Sequence, residues 1–331
     1  FKGYTMDEIL GFFTPIIIYG LIFLLNAVLP GRWVVGYASD AKGDKLKYRL
    51  NGWLVFLVTV FLWVGVCYVG WMDWTWLYHT RYYGLAGAFI FGMLFSLALV
   101  LPAPKVKTSF LADFFLGRSE NPQWWGGRVD AKMWLYLIGA VLLELHVLSF
   151  VAYHCTLYGS EASPGIYIAA ALLTFFVCDY LTFEEIHLYT YDLFAERVGF
   201  KLGWGCIAFY PYFYTIALWN TVYLPNPNWP PAYYLMSILI FLLGWSLSRG
   251  ANTQKYFFKR YPNRAFLGIQ PQTITDGNKY LLVNGFWGLS RHINYLGEIL
   301  MATGIALSVG YPTQIGPWLY PLYYVLLLFP R

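Results

Sequence analysis

Residues 133–152 read Met-Trp-Leu-Tyr-Leu-Ile-Gly-Ala-Val-Leu-Leu-Glu-Leu-His-Val-Leu-Ser-Phe-Val-Ala. About 20 such residues, rising ~1.5 Å each as a helix, match the thickness of a bilayer's hydrocarbon. Eight further apolar runs occupy about 9–29, 54–71, 84–101, 164–183, 203–223, 231–248, 295–310 and 315–329. The last two are short and interrupted by Gly or Pro, so they are expected to tilt or break. Trp71, Trp74, Trp76, Tyr78, Tyr82 and Tyr83 crowd span ends, as interfacial aromatic belts do. Composition agrees: 59% of the 331 residues are hydrophobic and 12% charged, against roughly 45–50% and about 25% in soluble domains. Mean hydropathy is +0.51. A soluble globular enzyme, a disordered chain and a secreted disulfide scaffold are thereby excluded. The sequence predicts an all-α fold, a polytopic integral membrane helical bundle of about nine spans, with room for a tenth in a longer chain.

Charge sets the expected orientation. Loop 30–53 carries Arg32, Lys42, Lys45, Lys47 and Arg49, and loop 102–132 carries Lys105, Lys107, Arg118, Arg128 and Lys132. Arg197 and Lys201 lie in 184–202, and seven Lys/Arg lie in 249–294. The alternate loops hold only Arg81 in 72–83 and none in 153–163 or 224–230. The positive-inside rule puts the four basic segments in the cytoplasm, in a bacterial inner membrane or an endoplasmic reticulum. The net charge of +5 is then topology, and no nucleic-acid partner is implied. Cys67, Cys155, Cys178 and Cys206 have no CxxC or zinc spacing and read as buried thiols. The division expected is 1–183, N-terminal spans, and 184–331, spans carrying cytoplasmic-side binding segments.

Three groups of residues stand out chemically. In 184–200, Glu184, Glu185, Asp192 and Glu196 follow an apolar span that still holds Asp179. Carboxylates at membrane depth usually face a cavity or a partner, although an interfacial helix paired with Arg197 and Lys201 has the same pattern. Glu184-x-x-His187 is half of a di-iron motif, but no second Glu-x-x-His exists and no metal is expected. In 281–298, Gly285 and Gly288 bracket Phe286 and Trp287, followed by Arg291, His292, Asn294 and Tyr295. Arg offers a planar fork for phosphate, and Asn and His offer orientable hydrogen bonds. An aromatic interfacial turn with one snorkelling Arg is the plainer reading. In the third group, Asn252 and Gln254 accompany Lys255 and Lys259, four apart on one helical face. Two cations there suit a pyrophosphate or 2′-phosphate, or simply lipid headgroups. The helix is expected to leave the membrane here and to end at Pro262-Asn263. Gly203-Trp-Gly205-Cys-Ile-Ala208 fits GxGxxA but lacks the preceding strand, so a Rossmann reading fails.

Leu281–Glu298 resembles the C-terminal signature of the sterol reductases, the Δ14-, Δ7- and C24(28)-enzymes and the membrane part of lamin B receptor, roughly LLxSGWWGxxRHxNYxGD. Agreement extends to Leu46–Gly52, to Asp113 with Gly117–Pro122, to Glu184-Glu185 through Asp192 and Gly199-Phe200, and to Arg249–Asn252 with Gln254-Lys255. Departures are Asn284 for the usual Ser, Gln123 for Arg, Ile293 for Pro, Lys259 for Arg and Cys206 for Asp. Relatives continue past the position of Arg331 with an Arg-Asp-Asp segment that helps close the nicotinamide site.

The resemblance implies NADPH-dependent reduction of a sterol carbon–carbon double bond, with C14=C15 preferred over Δ7 or Δ24. An isolated alkene accepts hydride poorly, so an acid must protonate it first, and the resulting cation can rest over aromatic faces. Asp192, Glu185 and Tyr214 are the candidate acids. Asn252, Gln254, Lys255, Lys259, Trp287, Arg291, His292, Asn294 and Tyr295 would bind NADPH from the cytoplasmic side. The sterol would enter laterally from membrane lipid among spans 5 to 8, and no metal takes part. A methyltransferase of the isoprenylcysteine type, using S-adenosylmethionine, shares Arg-His-x-x-Tyr-x-Gly at 291–297, and a non-catalytic tether is a third reading. Five separate blocks favour the reductase. Nothing in the sequence fixes the oligomeric state.

Overall fold

Helix is how most of the apolar runs fold, because backbone in lipid must satisfy its hydrogen bonds within itself. The computed structural model describes residues 5–40, 42–107, 109–277 and 279–328, in two units: 1–160 with 173–215, and 161–172 with 216–331.

The first unit opens with α1 (Met6–Val28), held by a capping box in which the Glu8 carboxylate accepts from the Thr5 amide at 2.6 Å and Thr5 Oγ1 accepts from the Glu8 amide. An antiparallel hairpin follows, β1 (Arg32–Ser39) and β2 (Lys45–Leu50), with Val34 opposite Tyr48. Then come α2 (Gly52–Tyr68), α3 (Trp76–His79), α4 (Arg81–Val100) and α5 (Phe110–Leu116). A short hairpin of β3 (Gln123–Trp124) and β4 (Val129–Asp130) leads into α6 (Ala131–Tyr158). Asp130 caps α6, accepting from the amides of Lys132 and Met133. Leu135, Ile138, Val141, Leu142, Leu143 and Leu145 on α6 have no exposure at all. A helix apolar all round is a core helix, and α6 is the axis of this unit. α7 (Pro164–Thr182) joins the unit from Leu173 onward, followed by α8 (Glu184–His187), α9 (Tyr191–Phe194), α10 (Phe200–Trp204), a π-helical turn over Gly205–Phe209, and α11 (Tyr210–Phe213).

The second unit contains α12 (Ile216–Trp219), α13 (Pro231–Arg260), the hairpin β5 (Thr273–Asp276) and β6 (Lys279–Leu282), α14 (Phe286–Leu289), α15 (Ile293–Ser308) and α16 (Ile315–Leu328). Its centre is the α13–α15 pair, where backbones meet because glycines leave room. A Cβ on Gly297 would lie 2.6 Å from the Gly244 carbonyl oxygen, and one on Gly304 would lie 2.8 Å from that of Ser237. Small residues at such spacing are how apolar helices approach closely in a membrane.

Among the described residues, five helices are long and apolar enough to cross a bilayer: Met6–Val28, Arg81–Val100, Ala131–Glu161 (α6 with the 3-10 turn that follows it), Pro164–Thr182 and Pro231–Arg260. α2, α15 and α16 are apolar but shorter. The run 203–223, expected as one span, is instead broken into α10, the π turn, α11 and α12. Gly203 and Gly205 weaken helix there, and Pro211 has no N–H to donate back. α13 runs past the apolar stretch 231–248 to Arg260, the polar extension expected to stop at Pro262-Asn263. Among the described residues, three two-stranded hairpins occupy segments that hydropathy alone marks only as polar connections.

Candidate functional site

In the second unit the site is built on the last turns of α13. Gln254 is 3% exposed, and its amide is committed: Nε2 donates to the Asn284 carbonyl oxygen and Oε1 accepts from the Phe286 amide, each at 3.0 Å. Gly285, between them, has φ of +64°, and a Cβ there would overlap the Gln254 amide. Trp287 Nε1 donates to the Ala251 carbonyl oxygen at 2.9 Å, and the Phe286 ring fills the space that a Cβ on Gly250 would take. Asn284 ties in the other flank, its Oδ1 accepting from the Gln272 amide at 3.1 Å and its Nδ2 donating to the Gln270 carbonyl oxygen at 2.6 Å. The 284–287 turn is thus pinned against Ala251–Gln254.

This turn presents the remaining candidates. Lys255 Nζ sits over the Trp287 ring, 5.6 Å from its centre, a cation–π contact. His292 and Tyr295 stack at 4.7 Å. Asn294 Oδ1 is buried and makes no hydrogen bond, an acceptor ready for a ligand N–H or O–H. Arg291 is exposed, and Asn252 and Lys259 are half-buried. Sequence reasoning grouped all nine residues as ligand contacts, whereas Gln254 is a positioning residue whose hydrogen bonds end inside the protein.

The other three candidates lie in the first unit. Glu185 forms an ion pair with Arg32 at 2.7 Å. Asp192, on α9, accepts from the Tyr136 hydroxyl on α6 at 3.4 Å. Beneath α9, Lys132 is fully buried and donates to the Leu193 carbonyl oxygen at 2.8 Å and to Asn121 Oδ1 at 3.1 Å. Tyr214 is half-buried among aromatic rings, 4.6 Å from Tyr210 and 6.1 Å from Phe176. Glu184, passed over as an acid in the sequence, accepts from the Gly52 amide at 3.3 Å. Burial pushes its carboxyl up to about 7, with the Gly52 amide and the Arg32 charge opposing.

Two of the shared sequence blocks prove architectural. Asn51 Oδ1 accepts from Asn26 Nδ2 at 2.6 Å, while its Nδ2 donates to the carbonyl oxygens of Asn26 and Leu29 and so closes the end of α1. Arg118 does the same for α4, donating to the carbonyls of Val100 and Ala103 at 2.9 Å while pairing with Asp113 at 2.8 Å. Burial alone would raise the Asp113 carboxyl, but Arg118 and the amides of Lys107 and Val106 hold it below its usual value. Lys132 and Asn284 were invisible as site builders, because only their partners' positions give them a role. No cluster of three His, Cys, Asp or Glu that could hold a metal occurs among the described residues.

Several apolar helices long enough to cross a bilayer, an apolar run broken by a π turn and polar residues gathered at the end of α13 define a multi-pass membrane protein. Residues 5–331 match the pattern described as the Ergosterol biosynthesis ERG4/ERG24 family, and the chain belongs to that family. It is 29% identical to a Delta(14)-sterol reductase of Arabidopsis thaliana, over 98% of this chain and 91% of that protein. Against the Delta(14)-sterol reductase of Methylotuvimicrobium alcaliphilum the identity is 30%, over 95% of this chain and 75% of the relative. Against Delta(14)-sterol reductase TM7SF2 of Mus musculus it is 31%, over 92% and 74%.

Proposed function

We propose that this protein is an NADPH-dependent Δ14-sterol reductase, saturating the C14=C15 bond of a sterol intermediate in sterol biosynthesis. The observation that carries the reading is that relatives bearing this name, from a plant, a bacterium and a mammal, align with nearly the whole chain.

The residues of the second unit fit a nucleotide. Lys255, Lys259 and Arg291 supply cations for its phosphates, Trp287 and the His292–Tyr295 stack supply flat faces, and the unpaired Asn294 Oδ1 supplies an acceptor. Gln254 and Asn284 hold the turn that carries them. When bound, NADPH provides the hydride. The protein's own task is the proton: Tyr214 Oη or the Asp192 carboxyl delivers it to one alkene carbon, leaving a positive charge on the other that the hydride quenches. Tyr136 orients Asp192 for that transfer. Arg32 keeps Glu185 in an ion pair, which favours Asp192 and Tyr214 over Glu185 as the donor. The basic segments 249–294 and 30–53 support a cytoplasmic position for the nucleotide-binding residues, by the positive-inside rule.

The test is NADPH binding and oxidation by detergent-purified protein with Δ14, Δ7 and Δ24 sterols, and NADH and S-adenosylmethionine as competitors. Lys255→Ala and Arg291→Ala should each weaken NADPH at least about tenfold, the scale of one lost charge-assisted contact. Unchanged affinity in both variants would overturn the cofactor assignment. Binding of S-adenosylmethionine in place of NADPH would point to a methyltransferase.

A further inference from the structure

Glu144 is the fourteenth of the 28 residues of α6, so about 20 Å of helix runs from it to either end. That is the middle of a helix long and apolar enough to cross a bilayer, and an ionisable side chain within such a span marks a functional site by default. It is 4% exposed. Oε1 accepts from Thr174 Oγ1 on α7 at 3.0 Å, whereas Oε2 is buried and has no hydrogen-bond partner. Such an acceptor is costly unless something fills it.

The broken span packs on another face of α6, the one that carries Gly139 and His146, while Glu144 faces α7 through Thr174. A Cβ on Gly139 would lie 3.1 Å from the Cys206 carbonyl oxygen in the π turn. His146 Nδ1 meets the Pro211 carbonyl oxygen at 3.2 Å, and its ring lies 4.5 Å from Tyr212. Phe176, two residues beyond Thr174, meets the Tyr214 ring. Irregular backbone at this depth is tolerated where it is buried in protein or lines a cavity, and π turns recur at functional sites.

We propose that Glu144 Oε2 binds the free hydroxyl of the sterol substrate. An alcohol both donates and accepts, so it matches a carboxyl in either protonation state, which a ketone or an ether does not. Tyr136, the partner of Asp192, lies eight residues nearer the start of α6, about 12 Å along the axis. A hydroxyl held at Glu144 therefore leaves a rigid fused-ring nucleus lying along α6, its alkene displaced toward Asp192 and Tyr214. The proposal rests on the reductase reading and adds to it the residue that anchors the substrate's polar end.

The experiment measures binding of a saturated 3-hydroxysterol and of its 3-methyl ether to full-length protein in nanodiscs, with reductase turnover of the corresponding alkenes in parallel. Wild type should prefer the alcohol at least about tenfold, since a polar site rejects a ligand that leaves it unpaired. Glu144→Leu should reduce that preference to about twofold or less by weakening the alcohol alone. Glu144→Gln, which keeps an acceptor for Thr174, should retain part of it and guards against a folding defect. Equal binding of alcohol and ether by wild type overturns the proposal, as does a Glu144→Leu variant that weakens both equally or neither. Discrimination that is lost in Glu144→Leu, in a protein that turns over no alkene, would sustain this site while overturning the reductase reading. A wild type that binds no sterol overturns both.

Discussion

Gly285 shows how much of the site rests on single atoms. Its φ of +64° suits glycine, and a methyl group there would collide with the amide of Gln254. Gly285→Ala should cost about 1–3 kcal/mol in strain and clash and weaken NADPH binding together with thermal stability. Gln254→Ala should shift both the same way, and the double variant should fall short of the sum, because the two residues share one contact. Additive losses would refute that coupling. Glu184 offers a pH prediction with a definite sign. Its folded-state value, near 7, lies above the unfolded 4.5, so the native state binds the extra proton. Stability contributed by this group is full below about pH 4.5 and declines up to about pH 7. Glu184→Gln should flatten that slope in thermal unfolding across the same window. The motif in 281–298 singled out Trp287, Arg291 and Asn294 in the sequence, since polar and aromatic types stand out in so apolar a chain. The hydrogen bonds of Gln254 to the 284–286 backbone were not legible, because an amide looks the same in sequence whether it faces a ligand or a backbone turn.

Among the elements, the α13–α15 pair is the most sensitive to added volume. Gly297→Leu and Gly304→Leu each insert a branched side chain where carbonyl oxygens stand under 3 Å from a Cβ, and each should destabilise the second unit by about 1–3 kcal/mol or more. Size-exclusion thermostability of the detergent-solubilised protein measures this, and an unshifted midpoint would contradict the close approach. Among the described residues, the eight longest helices, α1, α2, α4, α6, α7, α13, α15 and α16, were legible from hydropathy, and the short ones between them were not. The failure at 203–223 is instructive: apolar content is the same for a straight span and a broken one, and only Gly203, Gly205 and Pro211 hint at the difference. The first hairpin does carry its signal, since β2 reads Lys-Leu-Lys-Tyr-Arg-Leu, strictly polar then apolar, and β1 buries every second residue from Val34 to Ala38; a period of two is invisible to a count of long apolar runs and loop charges.

For the molecule as a whole, orientation follows from where its cations are. Single cysteines introduced at Lys42 and Lys259, in a background without the four native thiols, should react with an impermeant maleimide from the cytoplasmic side, and one at Asn226 from the opposite side. The reverse pattern would invert the topology. Composition made the membrane class legible at once, because no soluble core uses so few charges. The broken span bears on how such a chain is made. Its π turn and Pro211 leave a segment poorly suited to stand alone in lipid, and the surface it needs is α6, about 50 residues earlier in synthesis. The inserted α6 is then a waiting template, and Gly139 is the notch that receives Tyr210. Filling that notch should be felt first in the yield of protein leaving the translocation machinery, before any effect on the finished molecule is measured.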